Sequence, residues 1–335
     1  TSNPWGIDFD DRGQAFLTAC VIPHLYHVMP GGRYERQAGR HFNPATYDDI
    51  KTIADHRHYI GATPHSGNDR SDQAGGGHAH CGAMIYLADA WPAEYRGRIF
   101  MNNIHGARIN QDILKPKGSG YVGTHAPDFL LANDRWSQII NLLTGPDGQV
   151  YFIDWYDRQQ CHRNEVAIHD RSNGRIFKIS HGTSKPVQVD LREKSDLELA
   201  QLQLHPNDWF VRQARRLLQE RAPREDTRAA LETIAFSNQD ETRRLRGLWA
   251  LHVHGGLSDA QLRRALRDES AHVRGWTARL ACERGEPSSE VIGAIAAATA
   301  QEQSPVALLE FAAALQRIPA TRRWEVLERL ASHGE

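Results

Sequence analysis

The stretch LLTGPDGQVYFIDW, Leu142 to Trp155, decides the fold class of the first half of this chain. Asp147-Gly148 supplies the positive backbone angle of a tight hairpin, and the run after it alternates. Val150, Phe152 and Asp154 face one way, and Tyr151, Ile153 and Trp155 the other, because successive strand side chains point to opposite faces. The same grammar recurs upstream and downstream. WGIDFD, an Asp-Arg-Gly turn, QAFLTACV and PHLYHVMP fill Pro4 to Pro30, and strand-like runs return at Cys81–Leu87, Gly97–Asn103, Arg108–Leu114, Ile139–Leu143 and Gly174–Ile179. Short strands punctuated by Gly, Pro and Asp predict antiparallel meanders of the kind that build β-propeller blades, three of them visible here. A lone arc of blades leaves sheet edges unpaired, so the remaining blades are expected from a longer chain or from a partner. The opening TSNPWGIDFDDRG reads like the middle of a domain. Arg40 to Gly75 is expected to be an inserted loop over a propeller rim, with one short helix around Tyr47 to Ala54.

After His181-Gly182 the composition shifts from His, Gly, Asn and aromatics to Arg, Ala, Leu and Glu. SDLELAQLQLHPNDWFVRQARRLLQERA and the segments that follow carry apolar residues at helical spacing. Val211-Arg212 and Val273-Arg274 stand 62 residues apart in similar settings. That spacing suggests HEAT-like helix pairs, although the unit is shorter than the usual ~40–47 residues. The expected organisation is a mainly β N-terminal partial propeller over 1–182 with the inserted loop 40–75, a linker over 183–196, and an α-helical HEAT-like repeat domain over 197–335.

Forty Lys and Arg balance forty-one Asp and Glu, for a formal net charge of −1. This gives no signal for nucleic acid, and no apolar run approaches the ~18 residues that suggest a membrane span. Four scattered cysteines are too few for a disulfide-dense scaffold. The chain has no CxxCH for c-type haem, no HExxH and no GxGxxG.

The chemistry is expected in GGGHAHCGAMIYLADAWPAEYRGRIFMNNIHG, Gly75 to Gly106, and in IDWYDRQQCHRNE, Ile153 to Glu165. His78 and His80, two apart, share one strand face and could ligate a metal, move a proton or serve a structural hydrogen-bond cluster. His78, His80, Asn103, His105, Arg108, His125 and Asp128 are the candidate rim or substrate-binding residues. His78, His80, His105, Asp154, Asp157, Cys161 and His162 are the candidate metal ligands, with the spacing open between a transition metal and calcium. Cys81 and Cys161 could instead form an inter-blade disulfide.

NPWGIDFDDRGQAFLTACVIPHLYHVMPGG, the Gly75–Gly106 stretch, GSGYVGTHAPDFLLANDRW and GPDGQVYFIDWYDRQQCHR resemble the C-terminal propeller region of membrane-bound dehydrogenase-like proteins of Planctomycetes and related bacteria. LHPNDWFVRQARRLLQER and LWALHVHGGL resemble their HEAT-like extension. GAMIY, WPAEYRGRIFM and GPDGQVYFI look more distantly like late blades of six-bladed soluble glucose or sorbosone dehydrogenases. That resemblance implies an extracytoplasmic, periplasmic protein and a quinoprotein that uses pyrroloquinoline quinone (PQQ) and calcium to oxidise a sugar or polyol. It also implies electron transfer to a cytochrome-like module or partner. It assigns no catalytic residue within these positions, because the family's histidine base lies in an earlier blade. Ser2-Asn3-Pro4 and Gly123–Asp128 also depart from the quinoprotein pattern. The competing expectation is a noncatalytic scaffold whose rim loops bind glycan or protein and whose helical repeats dock a partner.

Overall fold

The computed structural model describes residues 3–20, 22–39, 48–58, 76–77, 79–159, 164–283 and 287–333. The chain divides into two compact units, Thr1–Lys117 with Tyr121–Val187, and Gln188–Glu335 with the turn Gly118–Gly120.

The first unit is three antiparallel meanders. β1 (Pro4–Phe9), β2 (Ala15–Ala19) and β3 (Leu25–Val28) form one sheet in that order. β4 (His80–Ile85), β5 (Ile99–Asn103), β6 (Arg108–Lys117) and β7 (Gly120–Leu131) form the second. β8 (Ile139–Thr144), β9 (Val150–Asp154) and β10 (Arg175–Ile179) form the third, with β9 central. The hairpin from β8 to β9 turns at Gly148, whose φ is +71°. The alternation read from the sequence holds on β9, where Val150, Phe152 and Asp154 are buried while Ile153 and Trp155 are exposed.

The middle sheet is buried on both faces, which explains why β4 reads as a continuous apolar run rather than an alternating one. Ala83, Ile85, Ile99 and Met101 pack with Phe16 and Leu25 of the first sheet. Met84, Tyr86 and Phe100 pack with Ile139, Leu142, Val150 and Phe152 of the third. Each large apolar side chain so buried contributes about 1.5–3 kcal/mol, so the two faces of one sheet fasten its neighbours. Polar ties add register. Asp8 Oδ2 accepts from Ile85 N at 2.7 Å, and Tyr86 Oη donates to Gly148 O at 2.9 Å.

Two features differ from the sequence expectation. The helix expected around Tyr47 to Ala54 is not formed over the described part of that segment. Residues 48–58 run as an extended strap instead, bridging Tyr34 through Ile50 and Gly123 through Ala54. Ile53 N donates to Leu25 O at 3.0 Å, Gly123 N donates to Ile53 O at 2.9 Å, and Asp55 N donates to Gly123 O at 3.0 Å. These bonds seat the strap between β3 and β7 and satisfy its backbone groups in place of a helix. The second difference is β7, which Gly120, Gly123 and Pro127 hide from a propensity reading. An edge strand tolerates the proline because its missing N–H is not needed by a second neighbour.

The second unit is helical. Its helices are α1 (Asp196–Gln201), α2 (Asp208–Glu220), α3 (Glu225–Ser237), α4 (Glu241–Val253), α5 (Asp259–Ala265), α6 (Ala271–Ala281), α7 (Ser289–Gln301), α8 (Pro305–Leu315) and α9 (Trp324–Ala331). Pro206 divides the first amphipathic run, and Asn207 then caps α2 by accepting from Trp209 N at 2.9 Å. Ser195, Asp240, Ser258, Ser270 and Ser288 cap other helices with their side chains. The two similar segments are α2 and α6, each burying its valine, Val211 or Val273. Among the described residues no helix is long and apolar enough to cross a membrane.

α3 and α4 cross closely at Gly247, where a Cβ would sit 2.6 Å from Ala235 N. Alanine at a helix-interior glycine gains about 1 kcal/mol of propensity, whereas overpacking against backbone costs about 1–3 kcal/mol. Gly247→Ala is therefore expected to destabilise the helical unit, read as a lowered urea midpoint at unchanged slope.

Candidate metal centre

Five histidines of the first unit gather around one buried carboxylate. Arg108, Asn110 and Asp112 alternate along β6 onto one face, and Asp112 is fully buried there. His24 stands immediately before β3, His80 opens β4, and His125 lies in β7. The strap brings in His56 and His58, whose spacing of two directs both rings to the same side of extended chain.

The reactive atoms converge. His24 Nε2 is 3.0 Å from Asp112 Oδ2, and His56 Nε2 is 3.2 Å from Asp112 Oδ1. His58 Nε2 is 2.7 Å from His56 Nε2 and 3.9 Å from Asp112 Oδ1. Among the described residues, His24, His56, His58 and Asp112 form a set whose ligand atoms all lie within 4.8 Å of one another. The His80 ring lies 4.8 Å from that of His24 and 5.0 Å from that of His58. His125 Nδ1 is 3.8 Å from Asp112 Oδ1.

Protons satisfy part of this arrangement. His56 Nδ1 lies 3.1 Å from Asp55 Oδ1 and Nε2 lies 3.2 Å from Asp112 Oδ1, so a charged His56 faces both carboxylates. Burial pushes the His58 imidazole far below its ordinary range, and the adjacent His24 and His80 rings push the same way. Burial would raise Asp112, but hydrogen bonds from His125, His24 and His56 overcome it and hold the carboxyl well below the usual range. Burial likewise opposes protonation of His56, and Asp112 with Asp55 overcomes that effect and raises it. Among the described residues, Asp112 Oδ1 and His58 Nδ1 are buried without a well-directed hydrogen-bond partner.

A divalent ion would give Asp112 Oδ1 the partner it lacks. With metal–nitrogen and metal–oxygen bonds near 2.0–2.2 Å, tetrahedral ligand atoms stand about 3.3–3.6 Å apart, within the spread of separations found here. Asp55 then acts as the carboxylate that orients a ligating imidazole, and Thr124 Oγ1 donates to Asp55 Oδ2 at 2.9 Å to hold it. Three nitrogens and one carboxylate suit a first-row transition ion. Calcium, which takes six to eight oxygens, does not fit this donor set.

The sequence-derived rim residues divide. His80, Asn103, Arg108, His125 and Asp128 flank the cluster. Asn103 Nδ2 reaches His80 Nε2 at 3.4 Å and Asn110 Oδ1 at 3.2 Å, while Arg108 Nη1 and Asn110 Nδ2 each donate to Asp128 at 2.7 Å. His105 sits in the turn between β5 and β6. Asp154 and Asp157, expected as metal ligands, are not in the His24, His56, His58 and Asp112 set. Asp154 is taken up by Arg175, Ser137 and Gln138 N, and Asp157 accepts from Gln159 N and Asp170 N, so both carboxylates anchor β9 and its following loop. Cys81 is a buried thiol whose Sγ lies 3.6 Å from Ile139 O, and its expected disulfide partner Cys161 lies outside the described residues. His78, Cys161 and His162 lie outside the described residues. His24, His56, His58 and Asp112 went unread because they come from three separate stretches. The His-x-His spacing of 56 and 58 repeats that of 78 and 80 and was the available signal.

Removing an outer partner of a ligating histidine commonly costs 10–100-fold in metal affinity. Asp55→Asn is expected to weaken zinc or cobalt binding by about that factor while leaving the far-ultraviolet spectrum unchanged, as measured by competition with a chromogenic chelator.

A solved structure similar to this chain is assigned as an oxidoreductase (glucose dehydrogenase) from Thermus thermophilus, at 16% identity and a TM-score of 0.32. The match covers 52% of this chain and 44% of that one, so the chain spans less than half the length of the structure it matches. No curated protein matches the sequence. Residues 1–183, which contain all five clustered histidines and Asp112, match the family model described as Domain of unknown function (DUF7133). The chain belongs to that family.

Proposed function

We propose that the DUF7133 segment binds one first-row transition-metal ion through His24, His56, His58 and Asp112. The observation that carries this reading is the buried Asp112 carboxylate, whose Oδ1 lacks a well-directed hydrogen-bond partner among convergent imidazole nitrogens. A bound ion would supply Lewis acidity and lower the pKa of a coordinated hydroxyl or water. His56 and His125 side chains are 17% and 34% exposed, so solvent and small molecules reach the cluster from that side. His125, partly exposed and with Nε2 3.9 Å from Asp128 Oδ1, would exchange protons between solvent and the cluster.

The sequence resemblance to dehydrogenase-like proteins adds a reaction class to this reading, oxidation of a sugar or polyol hydroxyl. Three successive meanders support reading the sheets as propeller blades, six in the complete form. Quinone dependence and an extracytoplasmic location rest on the resemblance alone.

Elemental analysis of purified protein is expected to give about one equivalent of a first-row metal, falling below a tenth in His24→Ala and in Asp112→Asn. Ligands must be deprotonated to bind, and Asp112 and Asp55 hold the His56 pKa above the ordinary imidazole value, so loading is expected to fall as pH drops through that raised range. Dye reduction by aldoses or polyols that appears only in the loaded protein would support the oxidative reading. Protein that takes up no metal on reconstitution, or equal loading of Asp112→Asn and wild type, would exclude the site.

A further inference from the structure

We infer that the helical unit docks an acidic peptide segment of another protein in a groove beside α5. The groove exists because α5 has 7 residues where α3 and α7 have 13 each. At 1.5 Å per residue the short helix spans about 10 Å against about 20 Å, so it fills only half of its place between them. Two adjoining hollows result, of ≈ 470 Å³ on the α7 side and ≈ 640 Å³ on the α3 side, and both are lined by Arg263, Arg267 and Asp268.

Their chemistry is one-sided. Arg263, Arg264 and Arg267 are exposed on the same edge. Arg263 pairs with Glu290 at 2.7 Å, and Arg264 lies over the Phe236 ring at 4.4 Å. Among the described residues, neither Arg264 nor Arg267 has a carboxylate partner. The acids that line the groove are already committed. Asp268 accepts from Arg244 at 3.0 Å and from Ser270 N at 2.8 Å, and Glu302 is held by Arg274 at 2.7 Å through both oxygens. An incoming carboxylate therefore meets two guanidiniums suited to forked binding, with no competing acid free to repel it.

The walls choose the class of polyanion. Leu266, Ala294, Ala297 and Ala298 line the α7 side with small aliphatic surface, which matches leucine or alanine side chains, and Phe236, the aromatic lining the α3 side, is covered by Arg264. The chain as a whole carries a net charge of −1, so it lacks the extended positive field that concentrates nucleic acid or anionic lipid. A peptide alternating carboxylates with small aliphatic residues satisfies both parts of the groove.

The test uses the full chain and a fluorescein-labelled twelve-residue peptide of alternating Glu and Leu, read by anisotropy. Saturable binding that weakens with salt is expected. So is a loss of about tenfold or more in Arg264→Glu/Arg267→Glu, where charge pairs across the interface are reversed. Ala297→Glu, an exposed position on the other wall, is expected to weaken binding without touching the arginines, and circular dichroism checks that each variant keeps its helices. Absence of binding overturns the inference. So do equal binding of the Lys-for-Glu peptide, undiminished affinity in the double variant, or tighter binding of a twelve-nucleotide single strand or of phosphatidylserine vesicles.

Discussion

The Asp112 carboxylate is the constraint on which the first unit turns. A charge with no exposed surface is tolerated only when partners compensate its lost hydration, and here those partners are imidazoles drawn from all along the unit. β6 presents Asp112 on the face it shares with the core between the first two sheets, so the polar cluster is built onto an apolar layer. Strands hold His80 and His125, His24 stands just before β3, and the strap supplies the remaining rings. The outer ring of Asp55, Thr124, Asn103, Asn110, Arg108 and Asp128 then orients what the strands position.

Much of the fold was legible. The Asp147-Gly148 turn and the alternation after it specify a hairpin by local chemistry alone, and the apolar runs at 80–85 and 99–103 are strands for the same reason. β7 escaped because its glycines and Pro127 argue locally against a strand, while its edge position and pairing with β6 override them. The strap escaped for the opposite reason. Residues 48–54 look locally capable of a helix, but Leu25 and Gly123 offer their backbone groups to an extended chain. The site was half legible. His80, Asn103 and Arg108 stand at strand ends, His125 and Asp128 lie within β7, and all flank the cluster, whereas the cluster itself is a tertiary fact. A lone His24, a His-x-His pair in a loop and an aspartate inside a strand acquire meaning only when the meanders stack.

The helical unit shows the same balance between local rule and tertiary exception. Its starts are written in the caps, with Ser, Asn or Asp at the head of helix after helix, and Pro206 and Gly255-Gly256 mark its breaks. The hollow beside α5 comes from an irregularity, since a helix of half length between two full ones leaves room that the packing does not fill. Buried Arg246 illustrates the cost of the rest. Its guanidinium reaches His205 O at 2.9 Å and Asp208 at 3.2 Å, so the chain spends a charge to tie α4 to the cap region of α2.

The pairing of His24 with Asp112 has one more consequence. His24 and Asp112 stand 88 residues apart in sequence, and an ion shared by both would knot the polypeptide into a closed ring across that distance. A covalent cross-link closing a ring of this size stabilises by about 4–5 kcal/mol in the chain-entropy account, because it restricts the denatured ensemble. Coordination achieves this without any thiol being oxidised. Tertiary fastening of this kind is indifferent to the redox poise of its surroundings and responds instead to the free concentration of a trace element.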